Sequence, residues 1–355
     1  DKYDIELLYL THFDYKTPRN LRDLKFFPDI LQYFQEIYTD SKNLKCKVIH
    51  RKTVNIKTDF KIYQHKDTVN LQELEYLKLL NKISYINLSE SRNSDVSSSF
   101  GERLEFDLSK GLPLLTSKKM GFKTILRELL WFINGSTCNK KLNDVNVHIW
   151  DQNASKEFLA SRNLDYKEGD LGPIYGFQWR HYGAKYIDSD TDYTNEGIDQ
   201  LKYIIDMIKN DPTSRRIIMN AWNPCDLEKM ALPPCHIMCQ FHVDQINKKL
   251  DCQMYQRSGD MFLGVPFNIA SYSLLTYIIA HLTGYNVGRF IHILGDAHIY
   301  NSHMDAVKLQ VKNPTHHFPE LIISDKLTDI DTIEESYFEI NNYQSSARIN
   351  APMIS

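Results

Sequence analysis

Leu250-Asp251-Cys252-Gln253-Met254-Tyr255, followed shortly by Gly264-Val265-Pro266-Phe267-Asn268-Ile269-Ala270-Ser271-Tyr272-Ser273-Leu274-Leu275, sets the fold class. The first run alternates apolar and polar residues, the period of a half-buried strand. The second is apolar almost throughout, with Pro266 near its first turn, and opens a buried helix. Working outward, Arg289 to Leu294 reads as another strand and Thr124 to Ile133 as a mostly buried helix stopped by Gly135. Strands mixed with helices in this way predict an α+β domain: a large mixed sheet with helices packed on it. Leu71, Leu74, Tyr76, Leu77, Leu80 and Ile83 recur at near-helical spacing and mark where that domain begins, so it runs over 71–355. Residues 1–70 are charged and heterogeneous, an N-terminal extension or linker of unknown role. Within them, Phe26 to Phe34 predicts a capped amphipathic turn or short helix after Pro28, and Cys46 to His50 and Phe60 to Tyr63 alternate as paired strands do. The serine-rich run Ser89 to Ser99 reads as a mobile loop, and Asp188 to Asn195 as a second polar loop.

Composition narrows the function classes. The chain has 355 residues, is 42% hydrophobic and carries a formal net charge of -3. That charge gives no global basic field for nucleic acid, so RNA binding has no support and any anion site must be local. Cys46, Cys138, Cys225, Cys235, Cys239 and Cys252 form no CxxC pair, which predicts reduced thiols and a cytoplasmic setting, with the nucleus as a further compartment. No uninterrupted apolar stretch reaches about 18 residues, which argues against a transmembrane helix. No secretory signal opens the chain. It begins at Asp1 and not at Met, as a piece of a longer protein would.

Chemistry concentrates in Met230-Ala231-Leu232-Pro233-Pro234-Cys235-His236 and Tyr255-Gln256-Arg257-Ser258-Gly259-Asp260. A free cysteine has a pKa of about 8.5 and is sluggish at neutral pH. A guanidinium such as that of Arg257 would favour the thiolate of Cys235 and make it a nucleophile. A lone cysteine is more often a buried core residue. Glu128 lies in an apolar helix, where a carboxylate is costly unless paired or useful. Arg127 is positioned either to pair with it or to face solvent. Asn268 sits among apolar residues and needs hydrogen-bond partners. Arg215-Arg216 is either a solvated turn after Pro212 or an anion ligand. His236 beside Cys235 is not by itself a dyad, since a dyad needs only spatial proximity. His316-His317 reads as an exposed loop, and no metal-ligand spacing stands out.

A family resemblance rests on seven blocks in order: Glu128 to Phe132, Gly172 to His181, Ser214 to Ile218, Ala231 to His236, Gln256 to Ser258, Gly264 to Tyr272 and Gly295 to Tyr300. Together they resemble the signature of thymidylate synthase. The resemblance implies transfer of a one-carbon unit to dUMP from 5,10-methylenetetrahydrofolate, which is carbon donor and reductant, giving dTMP and dihydrofolate, with no metal. It implies a covalent adduct between Cys235 and the pyrimidine, with Glu128, Arg257, Tyr175, His236, Asn268 and Asp260 as catalytic residues. Arg215, Arg216, Gln256, Arg257, Ser258, Asp260, Asn268, His298 and Tyr300 would contact dUMP. Ile149, Trp150, Leu232, Asp260, Gly264, Phe267 and Met353 would contact the folate. The family also implies a homodimer, built sheet to sheet, in which Arg215 and Arg216 reach the partner's site.

Departures accompany the resemblance. The family's glycine-bearing phosphate loop corresponds here to Arg92 to Ser99, which lacks the glycines, is a residue short and places Asp95 near the anion. Arg92 is the phosphate ligand carried over from that loop. A common family cysteine is Gly259 here. The resemblance does not reach residues 1–70, which would suit the end of a fused dihydrofolate reductase or a lineage-specific extension. A related pyrimidine hydroxymethylase is the nearest alternative. Asn268, matched to uracil, and Trp150 argue for methyl transfer.

Overall fold

Five strands form the central sheet of the computed structural model, which describes residues 7–14, 34–48, 52–65, 69–91 and 94–354. They are β4 (Val96–Asp107), β5 (Ile218–Asn220), β6 (His236–Asp244), β7 (Lys249–Asp260) and β8 (Asn286–Tyr300), in the order β4-β8-β7-β6-β5. The β7–β8 pair is parallel and the others are antiparallel, so the sheet is mixed, as the sequence predicts. Upstream, β1 (Leu7–Asp14), β2 (Phe34–Val48) and β3 (Lys52–His65) make a separate antiparallel sheet in the order β1-β3-β2. Of the predicted strand at Cys46 to His50, Cys46 to Val48 fall in β2 and the rest lies outside the described residues, and the predicted strand at Phe60 to Tyr63 falls in β3. These strands pair with each other, but Cys46 opposes Val54 and Phe60 opposes Asp40. The predicted turn or short helix after Pro28 lies outside the described residues, apart from Phe34, which opens β2.

Both strands read in the main domain extend well past their alternating runs. β7 continues through Gln256-Arg257-Ser258, where polar side chains hide the pattern. His236 pairs with Gln256 on one side, and Leu294 and Asp296 pair with Gln256 and Ser258 on the other. The serine-rich run is a loop only in part. Ser97, Ser98 and Ser99 pair with Ile299, His298 and Ala297, and the buried Ser97 donates its hydroxyl to the Ile86 carbonyl at 2.7 Å. Serine composition resembles a loop, but small side chains with a satisfied hydroxyl fit a ladder.

The helix Gly264–Thr283 packs on β7 and β8, and the helix Phe122–Ile133 packs on it. Leu250, Cys252 and Met254 of β7, Phe290 and Leu294 of β8, and Tyr272, Leu275 and Ile279 of the helix are buried between the layers. Each buried Leu, Ile or Phe contributes about 1.5–3 kcal/mol by leaving water. By length and composition Gly264–Thr283 could cross a membrane, but its apolar window is 72% buried within the molecule, as befits a core helix. The helix Leu71–Ser84 starts where its apolar spacing predicts, with the Asn70 side chain accepting from the Gln72 and Glu73 amides.

Two glycines admit close approaches. Gly172 has φ +74°, and a Cβ there would lie 2.2 Å from the Lys229 carbonyl oxygen. It starts the run that leads into the helix Tyr175–His181. At Gly259 a Cβ would meet Val265 Cγ2 at 2.9 Å and Leu294 Cδ2 at 3.0 Å. The expected result for Gly172→Ala is a loss of more than about 1 kcal/mol of stability, read from the urea midpoint. An unchanged midpoint would contradict the fit at Lys229.

Candidate active site

Cys235 immediately precedes β6, and the sheet register brings it beside Arg257. The Arg257 amide donates to the Cys235 carbonyl at 2.8 Å. The Arg257 guanidinium donates from Nε to the Pro234 carbonyl and from Nη2 to the Pro233 carbonyl, both at 2.9 Å. Proline fixes φ, so these carbonyls are presented on a stiff backbone. The same Nη2 lies 3.8 Å from Cys235 Sγ, and the guanidinium rests 5.6 Å from the Trp222 ring. A fixed cation at that distance favours the thiolate. Cys138, Cys239 and Cys252 are buried, whereas Cys235 is half-buried, so the core-cysteine reading fits those three and not Cys235.

Aromatic rings back the thiol. The Cys235 amide donates to Tyr175 Oη at 2.7 Å, and Tyr175 stacks on His236 with centroids 4.1 Å apart. His236 Nδ1 lies 2.7 Å from Tyr272 Oη. Burial pushes the His236 pKa down to about 3, so the imidazole is neutral at physiological pH. Burial also raises the Tyr175 and Tyr272 phenols well above their ordinary range, so both keep their protons.

Glu128 comes from the helix Phe122–Ile133. Burial raises its pKa to about 7, opposed by a hydrogen bond in which Trp150 Nε1 donates to Oε1 at 2.9 Å. Arg127 does not neutralise it. That guanidinium pairs with Glu335 at 2.8 Å and donates to the Val145 carbonyl at 2.6 Å. A carboxyl poised near neutrality suits proton transfer in either direction. The rings of Trp150 and Tyr175 lie 6.1 Å apart, which ties Glu128 to the wall around Cys235.

The remaining predicted residues divide into groups. Gln256 is buried and committed: its Oε1 lies 2.8 Å from His292 Nε2, and its Nε2 donates to the Ser258 carbonyl at 2.9 Å. Ser258 is half-buried in the adjoining part of β7. Asn268 is half-buried on the second turn of its helix, and its amide has no hydrogen-bond partner among the described residues. The partners predicted for it are therefore not supplied by the described chain. Asp260 accepts from the Phe262 and Leu263 amides at 2.9 and 3.1 Å. Burial opposes its ionisation, but His303 and those amides outweigh burial and hold the pKa below the usual carboxylate range. His298 bonds Asp296 at 2.9 Å and meets Tyr300 edge-on at 5.0 Å.

Trp150 is buried. Ile149, Leu232 and Phe267 are half-buried against the core, Gly264 opens the Asn268 helix, and Met353 is exposed. Arg215 and Arg216 occupy an exposed turn before β5, and neither guanidinium forms a hydrogen bond or ion pair among the described residues. The chain alone does not bring them to Cys235. Arg92 lies outside the described residues. Among the described residues, no group of three or more His, Cys, Asp or Glu could hold a metal. Sequence reading missed the supports Trp222, Tyr272, His292 and His303. Tyr272, a phenol in an apolar helix, carried a signal because it needed a partner. The other three carried none.

A half-buried thiol beside a fixed guanidinium and a buried carboxyl poised near neutrality are the kind of groups that enzyme active sites gather. The family profile for thymidylate synthase matches residues 74–355, and the chain belongs to that family. It is 50% identical over 275 residues to thymidylate synthase of human herpesvirus 8, covering 77% of this chain and 81% of that protein. It is 50% identical over 284 residues to the Homo sapiens thymidylate synthase, covering 79% and 90%. A bifunctional dihydrofolate reductase-thymidylate synthase of Zea mays is also 50% identical, over 285 residues, and this chain spans 54% of it.

Glu128 gives a pH signature. Its folded pKa lies above the ordinary 4.5, so its contribution to stability falls as pH rises from there to about 7 and then levels off. Glu128→Gln should remove that slope. Wild type minus variant, from urea unfolding at pH 4.5 and pH 8, should change by on the order of 3 kcal/mol. Parallel profiles would show that burial does not tune this carboxyl.

Proposed function

We propose that the chain carries out the reductive methylation of dUMP to dTMP, with 5,10-methylenetetrahydrofolate as carbon donor and reductant and dihydrofolate as second product. The observation that carries this reading is Arg257 Nη2 at 3.8 Å from Cys235 Sγ, within a family that supplies the reaction. The Cys235 thiolate adds to pyrimidine C6, and the electron pair moves to C5 as an enolate. That step turns a poor carbon nucleophile into a good one. C5 takes the methylene from the folate. Loss of the C5 proton and cleavage of the methylene–nitrogen bond then release tetrahydrofolate and leave an exocyclic methylene on C5, and hydride from the tetrahydrofolate ring adds to that methylene as the thiolate is expelled from C6, giving dTMP and dihydrofolate.

Glu128 manages protons near O4 and C5, and Tyr175 assists removal of the C5 proton. The Asn268 amide donates to uracil O4 and accepts from N3–H. His236 and Gln256 support the nucleophile and the pyrimidine face. Arg257 and Ser258 hold phosphate, Arg92 closes on it, and His298 and Tyr300 hold the sugar. Ile149, Trp150, Leu232, Asp260, Gly264, Phe267 and Met353 surround the folate.

The active form is a homodimer joined through the second face of the sheet. Ile218, Met238, Tyr255, Ile291 and Ile293 are incompletely buried there, and in the strand alternation they face away from the helix layer. Such a face suits a self-complementary two-fold contact. Arg215 and Arg216, unengaged at the edge next to β5, then reach the partner's phosphate. Residues 71–355 form the catalytic domain. Residues 1–70 are a linker or extension, and the bifunctional relatives support an upstream reductase. The cytoplasm is the working compartment, with the nucleus a further one.

The rise in absorbance at 340 nm as dihydrofolate forms should require dUMP and vanish in Cys235→Ser. Glu128→Gln should lower kcat by about 10²–10⁴-fold. A dUMP-independent rise would overturn the reading. Cys235→Ser and Arg215→Ala, each inactive alone, should recover about a quarter of wild-type activity when mixed and allowed to exchange subunits. No recovery would refute the shared site.

A further inference from the structure

One buried histidine outside the reaction scheme touches both Asp260 and the C-terminal segment. His303 lies in the turn Asn301–His303 that follows β8. Its Nε2 is 2.7 Å from the Pro352 carbonyl oxygen, and its Nδ1 is 3.6 Å from Asp260 Oδ1, an ion-pair distance. The ring packs on Phe262 at 5.6 Å and edge-on to Tyr300 at 5.4 Å. Nδ1 is buried with no hydrogen-bond partner of its own, so the Asp260 carboxylate is what faces it.

Asp260 is itself fixed to the next turn, since it caps the Phe262 and Leu263 amides ahead of the Asn268 helix. Lys118 clamps the same turn. Its ammonium donates to the Phe262 carbonyl and lies 3.8 Å over the Phe262 ring. Glu73 is buried beyond Lys118 and accepts from the Thr116 and Ser117 amides. The charged groups around His303 are therefore Asp260 and Lys118, with the Tyr300 phenol alongside and Glu73 further off.

We infer that His303 is a positioning residue that couples seating of the C-terminal segment to the Asp260 turn, one ring nitrogen holding the Pro352 carbonyl and the other facing the carboxylate. The doubly protonated ring satisfies both contacts. A neutral ring always turns a lone pair toward one of two acceptors. Burial works against protonation, but Asp260 and the Pro352 carbonyl outweigh it and hold the pKa above the ordinary value. The seated segment is thus favoured below that pKa and loosened as pH rises through it.

Hydrogen exchange of the segment 349–354 tests the coupling without any substrate. His303→Ala should speed that exchange about tenfold, the scale of one charge-assisted hydrogen bond, and leave peptides of β6 and β7 unchanged. His303→Gln keeps a donor for Pro352 and should lose the pH dependence of the tail. The kinetic arm rests on the proposed function. His303→Ala should raise KM for methylenetetrahydrofolate and not for dUMP, and should have no further effect in a protein lacking residues 351–355. Unchanged exchange of 349–354, equal speeding of β6 and β7, or a full His303→Ala effect without the tail would overturn the coupling. An inactive wild type would instead refute the reaction and leave the exchange result to decide this point.

Discussion

Arg257 reaches back across the sheet to Pro233, Pro234 and Cys235 through its backbone amide and two guanidinium nitrogens. Much of the site hangs on that set of contacts. The strand register carries it: His236 opposes Gln256, and Gln256 lies beside Leu294. Side chains alternate between faces, so a slip of one residue in β7 would carry the guanidinium away from the thiol. The prolines cannot donate hydrogen bonds and hold φ fixed, so their carbonyls stay where the guanidinium can reach them. The cation is thereby anchored by neutral carbonyls, which leave its charge free to act on the sulfur.

Burial acts on Glu128, His236 and Asp260 alike, yet their charge states differ because their neighbours differ. Glu128 has an indole N–H but no cation, since Arg127 is drawn to Glu335, and its pKa rises to about 7. His236 meets a phenol and a stacked tyrosine, neither of them charged, and stays neutral. Asp260 has His303 and two backbone amides and stays ionised. Burial therefore leaves a near-neutral carboxyl, a neutral imidazole and a fixed anion, according to the neighbours each group has.

Much of this was legible in the chain and some was not, for definite physical reasons. Helices with apolar spacing, such as Leu71–Ser84 and Gly264–Thr283, announce themselves because burial dictates their composition. The far end of β7 does not, because the polar side chains of Gln256, Arg257 and Ser258 break the alternation. The start of β4 hides among serines that are satisfied by a ladder and by the Ile86 carbonyl. Among the candidate site residues, Cys235, Arg257, Glu128 and Asn268 stand out as residue types out of keeping with their surroundings. Trp222, His292 and His303 meet the site through long-range packing and carry no local pattern. Nor could spacing place Arg215 and Arg216, whose described contacts within the chain stop at an exposed turn.

Gly259 bears on how such a sequence can change. Any side chain there would press into Val265 Cγ2 at 2.9 Å and Leu294 Cδ2 at 3.0 Å, one from the helix and one from the neighbouring strand. A larger residue at 259 therefore requires Val265 or Leu294 to shift. A smaller residue at 265 or 294 would make that room but leaves a cavity while the glycine remains. The effects of substitutions at the three positions are therefore expected to be non-additive.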